Sequence, residues 1–126
     1  NIAQMVNVLQ AMILTEGSKM VLTPTYHVFA LYAAHQGAQQ LESYAETSIL
    51  RHDEEAVPTL HVSASRAADG KILITVANLD EAHPAEAQVL LGGVKAAAVN
   101  GTVLCGTADA HNTFTAPNAV QRCPPC

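Results

Sequence analysis

Two alternating runs joined by a short turn constrain the fold of this chain more than any other feature. In Leu60-His61-Val62-Ser63-Ala64-Ser65-Arg66, Leu60, Val62 and Ala64 fall on one face of an extended chain, because successive strand side chains point to opposite sides. Ala68-Asp69-Gly70-Lys71 is a hairpin turn signal. The following Lys71-Ile72-Leu73-Ile74-Thr75-Val76-Ala77-Asn78 is β-branched and apolar, the composition of a central strand. Further on, Asp80 to Pro84 is a polar turn, and residues 87–91 predict another strand, stopped by Gly92-Gly93. Residues 97–104 predict a strand region interrupted by Asn100-Gly101, the strongest short hairpin signal. Closely spaced short strands joined by turn residues predict an antiparallel sandwich over residues 57–121.

The first third reads differently. Thr23-Pro24-Thr25 predicts a helix start, with Thr23 or Thr25 as N-cap and Pro in the first turn. Tyr26, Phe29, Ala30, Ala33 and Ala34 then recur at helical spacing up to Gly37, a C-terminal stop. Tyr26 and Phe29 are expected to be core residues. Residues 5–14 suit either a helix face (Val6, Leu9, Ile13) or a strand (Val6 and Val8 about Asn7), and Glu16-Gly17-Ser18 breaks the run. Arg51-His52-Asp53-Glu54-Glu55 is a charged, solvated stretch that ends before Pro58 and predicts a linker or surface loop.

Composition excludes several function classes. Apolar residues make up 49% and charged residues only 13%, so a chain like this standing alone exposes apolar area. Its apolar pattern is already under way at Ile2 and Val6, and the chain is expected to be cut from a longer protein that covers part of it. Net charge is −5 and the six basic residues are scattered, which argues against nucleic-acid and anionic-membrane partners. No apolar stretch approaches the roughly 20 residues of a membrane span. No basic leader and no cleavage-site pattern marks a secretory signal. With two Phe, three Tyr and no Trp, stacking platforms for sugars or bases are scarce.

The six histidines do not have metal-site spacing. His27 and His35 lack the i, i+4 relation of a helical zinc pair, and His61, His83 and His111 fall in separate strands or turns. Asp109, His111 and Asn112 form a polar cluster expected to hold a loop by Asx-type hydrogen bonds. The cysteines are Cys105, Cys123 and Cys126, the last two in Cys-Pro-Pro-Cys. A CxxC pair can bind metal or act in redox chemistry, but this one lacks a helix start or second ligand pair, so neither role is expected. No metal or other cofactor is expected anywhere in the chain.

Two stretches resemble the C-terminal portion of the alpha-L-arabinofuranosidases of glycoside hydrolase family 51. The first runs from Asn1-Ile2-Ala3-Gln4-Met5-Val6-Asn7-Val8-Leu9-Gln10 to Thr23-Pro24-Thr25-Tyr26-His27-Val28-Phe29. The second runs from Val62-Ser63-Ala64-Ser65-Arg66 through Asn78-Leu79-Asp80 to Ala110-His111-Asn112-Thr113-Phe114. The ending from Arg122 onward departs from the family, which continues with further sandwich sequence.

The resemblance implies a parent enzyme with a (β/α)8 barrel and an antiparallel β-sandwich of jelly-roll type. Residues 1–43 would be the last barrel strand and its helix, 44–57 a linker, and 58–126 an incomplete sandwich. It implies removal of terminal alpha-L-arabinofuranosyl groups from arabinan, arabinoxylan and oligosaccharides, with retention of configuration. A cytoplasmic location and a homo-oligomeric, hexameric parent are implied in the same way. Retaining glycosidases use two carboxyl groups about 5–5.5 Å apart. None of the eleven carboxylates here ends a barrel-type strand beside a second one, and the family's two catalytic glutamates would lie upstream of Asn1. No catalytic residue is therefore expected in this chain, and by itself it is expected to be inactive. Gln4 matches a glutamine that contacts the arabinofuranosyl ring; an amide can donate to one hydroxyl and accept from another. Its alternative role is to satisfy backbone at a helix start. The alternative for the whole chain is a non-catalytic structural or carbohydrate-binding sandwich module, against which the shortage of aromatics weighs.

Overall fold

The computed structural model describes residues 2–124. Among them are nine strands and one α-helix, so the chain is mostly antiparallel sheet. It divides into two compact units, Asn1–Leu31 with Val94–Cys126, and Tyr32–Gly93.

In the first unit, β1 (Ile13–Glu16) and β2 (Lys19–Leu22) form a hairpin in the register Ile13↔Leu22 to Glu16↔Lys19. Its tip turns through Gly17 at φ 58°, a left-handed conformation that glycine adopts without a Cβ clash. The ambiguous stretch before it is neither helix nor strand; Val6 makes an isolated parallel bridge to Ile13. Thr23 ends β2 and starts the helix α1 (Pro24–Tyr32). Its hydroxyl donates to the Ala11 carbonyl at 2.6 Å and receives the Tyr26 N–H at 3.4 Å. Of the two candidate caps, Thr23 is the one used, with Pro24 at the first helical position, where no N–H is required. The 3-10 turn over Ala33–His35 and Gly37, at φ 73°, which closes the segment, already belong to the second unit.

The helix departs from expectation in what it buries. His27 is its buried residue, while Phe29 is 40% exposed and Tyr26 half-buried. The apolar spacing of α1 is real, but no other described element covers that side. The rest of this unit is held by β8 (Val103–Leu104) paired with β9 (Arg122–Cys123) and by Asn112, 3% exposed. Asn112 Nδ2 donates to the carbonyls of Leu22 at 2.7 Å and Val120 at 2.8 Å, and its Oδ1 accepts the Val120 N–H at 2.7 Å. Ala11, Val21 and Val120 are the buried apolar residues of the described chain, and all three belong to this unit.

The second unit is built on a three-stranded sheet, β3 (Gln39–Leu41), β6 (Leu60–Arg66) and β7 (Ile72–Asn78), in the order β3-β6-β7. The turn read from Ala68-Asp69-Gly70-Lys71 forms as expected: Gly70 takes φ 84°, and Asp69 accepts the Lys71 N–H at 3.1 Å and pairs with its ammonium at 2.6 Å. Pairing in register brings Val62 beside Val76 and Ala64 beside Ile74 on one face, and Ser63 beside Thr75 on the other. The charged stretch around Asp53 is exposed as expected, but it is the tip of a hairpin, β4 (Ile49–His52) with β5 (Glu55–Pro58), rather than an irregular loop. A second departure lies downstream. Residues 87–91 form no strand, and of 97–104 only Val103 and Leu104 pair, with β9 rather than across Asn100-Gly101.

Candidate functional site

Gln4, the residue singled out for substrate contact, lies in a segment fixed by its neighbours. The Met5 carbonyl accepts the Ile13 N–H at 2.9 Å, and the Asn7 N–H donates to the Ile13 carbonyl at 3.1 Å. Asn7 holds a left-handed backbone (φ 52°), which Asn tolerates better than most residues. Its side chain locks onto Thr15 twice: Oδ1 accepts the Thr15 N–H and Nδ2 donates to Thr15 Oγ1, both at 2.8 Å. Asn7 is thus structural, as its place inside an apolar run suggests. Gln4 is exposed and precedes no helix, so its amide is not satisfying a helix start.

Three turn aspartates present the wrong electrostatics for proton donation. A general acid needs a raised pKa, obtained by burial or by a neighbouring negative charge. Asp69 is instead held below the usual carboxylate range, first by its hydrogen bond from Lys71. Asp80 is lowered by the Ala82 N–H and then by His83, and Asp109 by the Thr107 hydroxyl. Each closes a turn: Asp80 accepts from Ala82 and His83 at 2.9 and 3.2 Å, and Thr107 donates to Asp109 at 2.8 Å. His111 Nδ1 bonds the Asp109 carbonyl at 2.9 Å, and with Asn112 it fixes the loop as the sequence cluster implied.

The second unit holds two hydroxyl-centred clusters. His35 bridges two strands, Nδ1 to Ser65 Oγ at 2.6 Å and Nε2 to Thr75 Oγ1 at 3.1 Å. Ser65 is 4% exposed, so this pair is closed to a substrate. Thr59, also buried, bonds the hydroxyls of Thr47 and Ser48 and borders an open polar hollow of about 430 Å³, lined also by Asn78, Asp80 and His83. Sequence reasoning weighed His35 only as a metal ligand and passed over Thr59, because contacts 30 and 12 residues apart leave no local pattern. Among the described residues no three His, Cys, Asp or Glu side chains converge as metal ligands, and no helix is long and apolar enough to cross a membrane. The Cys-Pro-Pro-Cys ending lies partly outside the described residues, with Cys126 among those not described.

The family model for the alpha-L-arabinofuranosidase C-terminal domain matches residues 1–124. The chain belongs to that family. It is 42% identical, over 98% of its length, to an intracellular exo-alpha-L-arabinofuranosidase of Bacteroides ovatus, of which it covers 24%. The crystal structure of the GH51 arabinofuranosidase from Xanthomonas axonopodis pv. citri matches 97% of the chain with a TM-score of 0.90 and 47% identity, over 25% of that protein. The chain thus spans about a quarter of the length of these relatives. The resemblance carried by the stretches from Asn1 to Phe29 and from Val62 to Phe114 is confirmed as membership of the alpha-L-arabinofuranosidase C-terminal domain family.

Proposed function

We propose that this chain is the C-terminal portion of a retaining family 51 enzyme that removes terminal alpha-L-arabinofuranosyl groups from arabinan, arabinoxylan and related oligosaccharides. The match of the C-terminal domain family to residues 1–124 carries the reading. In it, residues 1–43 belong to the end of a (β/α)8 barrel, 44–57 connect the two parts and carry most of the β4–β5 hairpin, and 58–126 belong to a jelly-roll sandwich. Gln4 contacts the arabinofuranosyl ring; its exposure and its fixed backbone neighbours support that role. The acid and the nucleophile come from polypeptide outside this chain, in keeping with the lowered pKa of Asp69, Asp80 and Asp109. The parent is intracellular, as the Bacteroides ovatus relative is named, and is a hexamer.

The test uses an aryl arabinofuranoside. The purified chain releases no arabinose, and the longer enzyme that contains it does. Gln4→Ala in the longer enzyme lowers kcat/KM by roughly tenfold or more, the size of a lost sugar hydrogen bond of about 1.5 kcal/mol. Arabinose release by the 126-residue chain alone overturns the assignment of the chemistry to other polypeptide.

A further inference from the structure

We propose that Asn100 is a modification site, where the Gly101 backbone nitrogen closes on the side-chain amide and converts the residue to aspartyl and isoaspartyl forms without an enzyme. The site lies in the first unit and is independent of the arabinofuranosidase reading. Asn100-Gly101 is the strongest short hairpin signal in the sequence, yet the chain forms no hairpin there. The two-residue turn that favours Asn-Gly needs φ above zero at both residues, and Asn100 does not adopt it. Every residue from Val94 to Val103 is exposed, with Val99 at 85%. Asn100, Gly101 and Thr102 make no hydrogen bond to another described residue.

The described asparagines differ in what holds their amides. Asn7 spends both amide atoms on Thr15, Asn78 on His83 and Asp80, and Asn112 on Leu22 and Val120. Asn118 is exposed, but Ala119 follows it. Val8, Leu79, Thr113 and Ala119 each carry a Cβ beside the nitrogen that would have to attack, and Gly101 carries none. Among the described asparagines, Asn100 alone combines an amide without a hydrogen-bond partner, an unheld backbone and a following glycine.

The reaction is intramolecular, so its two groups already stand at high effective concentration. The Gly101 N–H gives its proton to water, and the nitrogen attacks the carbonyl carbon of the Asn100 side chain. A C–N bond forms and closes a five-membered succinimide. The bond to the side-chain nitrogen breaks, and that nitrogen leaves as ammonia with a proton taken from water. Water then opens the ring at either carbonyl. Opening at the side-chain carbonyl leaves an aspartate, and opening at the backbone carbonyl routes the chain through the side chain as isoaspartate. Nothing is oxidised or reduced, and each event turns one neutral amide into a carboxylate. A hydrogen-bonded hairpin would hold the backbone away from this approach, whereas the open loop leaves it free.

The test ages three samples side by side at neutral and mildly alkaline pH: the 126-residue chain, the longer enzyme that contains it, and a synthetic peptide of residues 97–104. Peptide mapping by mass spectrometry reads conversion at each asparagine, and methylation by an isoaspartyl carboxyl methyltransferase counts the isoaspartyl product. In both proteins Asn100 is expected to convert within about threefold of the peptide rate, and roughly tenfold or more faster than Asn118. Isoaspartate is expected beside aspartate, at a rate that rises with pH as the Gly101 nitrogen loses its proton more readily. Gly101→Ala is expected to slow conversion by roughly tenfold or more, and Asn100→Gln to remove the isoaspartyl signal from this segment. Conversion in either protein roughly tenfold or more below the peptide rate overturns the proposal, because the fold would then be holding the loop. Aspartate formed without isoaspartate overturns it too, since direct hydrolysis of the amide never opens the backbone. Arabinose release plays no part in these readouts, so the functional reading stands or falls separately.

Discussion

The two units spend their apolar residues differently. The unit of Asn1–Leu31 and Val94–Cys126 buries Ala11, Val21 and Val120, and ties strand to loop through the three bonds of Asn112. The unit of Tyr32–Gly93 buries Thr59 and Ser65 instead. It is pinned by His35 and by hydroxyl pairs, while Ile74 and Val76 face outward. The first unit therefore draws stability from burial and satisfied backbone. The second relies on sheet pairing, although both units leave apolar side chains uncovered, Leu9 at 93% in the first and Leu90 at 84% in the second. Apolar area stabilises only when something covers it.

Asn112→Ala is expected to make the largest difference. It leaves the buried Val120 N–H and the Leu22 and Val120 carbonyls without their partner, at a cost of about 3 kcal/mol. Urea denaturation of the purified chain reads this directly, and a change under about 1 kcal/mol would remove Asn112 as the tie of that unit.

A matched pair of truncations tests the contrast itself. Val21→Ala, at a site 3% exposed, is expected to cost about 1.5 kcal/mol, whereas Val76→Ala, at 46% exposed, stays within about 0.5 kcal/mol. Equal losses at the two sites would erase the distinction between the units.

The smallest expected effect is a pH slope confined to the first unit. Burial lowers the His27 pKa below its ordinary 6.5, with Arg122 adding to the shift, and His27 Nδ1 is buried without a hydrogen-bond partner. The unfolded chain then binds the extra proton first, so this contribution is fully present above pH 6.5 and falls as pH drops towards the folded pKa. The lowered aspartates lose theirs only further down, as pH falls below 3.8. Denaturation midpoints followed between those two regions should slope for the native chain and flatten for His27→Leu. An unchanged slope in the variant would show that another group carries it.

Local features were legible from residues alone because their causes are local. The β6–β7 hairpin follows from period-2 alternation and from Gly70, whose φ of 84° strains any residue with a Cβ. Thr23-Pro24 set the helix start, and Asn112 could be named as a loop-holding residue. The strand expected at residues 87–91 and the burial expected of Phe29 are both absent from the structure. Both depend on a covering surface, and alternation or helical spacing shows which face is apolar without showing what lies against it. Gln4 became a candidate through resemblance, since a lone amide has no periodic signature.

What the sequence by itself determined is the strand-rich character, the turn at Ala68-Asp69-Gly70-Lys71 and the helix start at Thr23-Pro24. All of these follow from residue identity, φ preference and spacing over a few positions. Tertiary structure alone decided that Asn112 reaches Leu22, that His35 clasps Ser65 and Thr75, and that hydroxyls rather than valines fill the interior of the second unit. These are pairings across long stretches of chain, and their worth lies in desolvation and hydrogen-bond geometry, which exist only once distant segments are brought together.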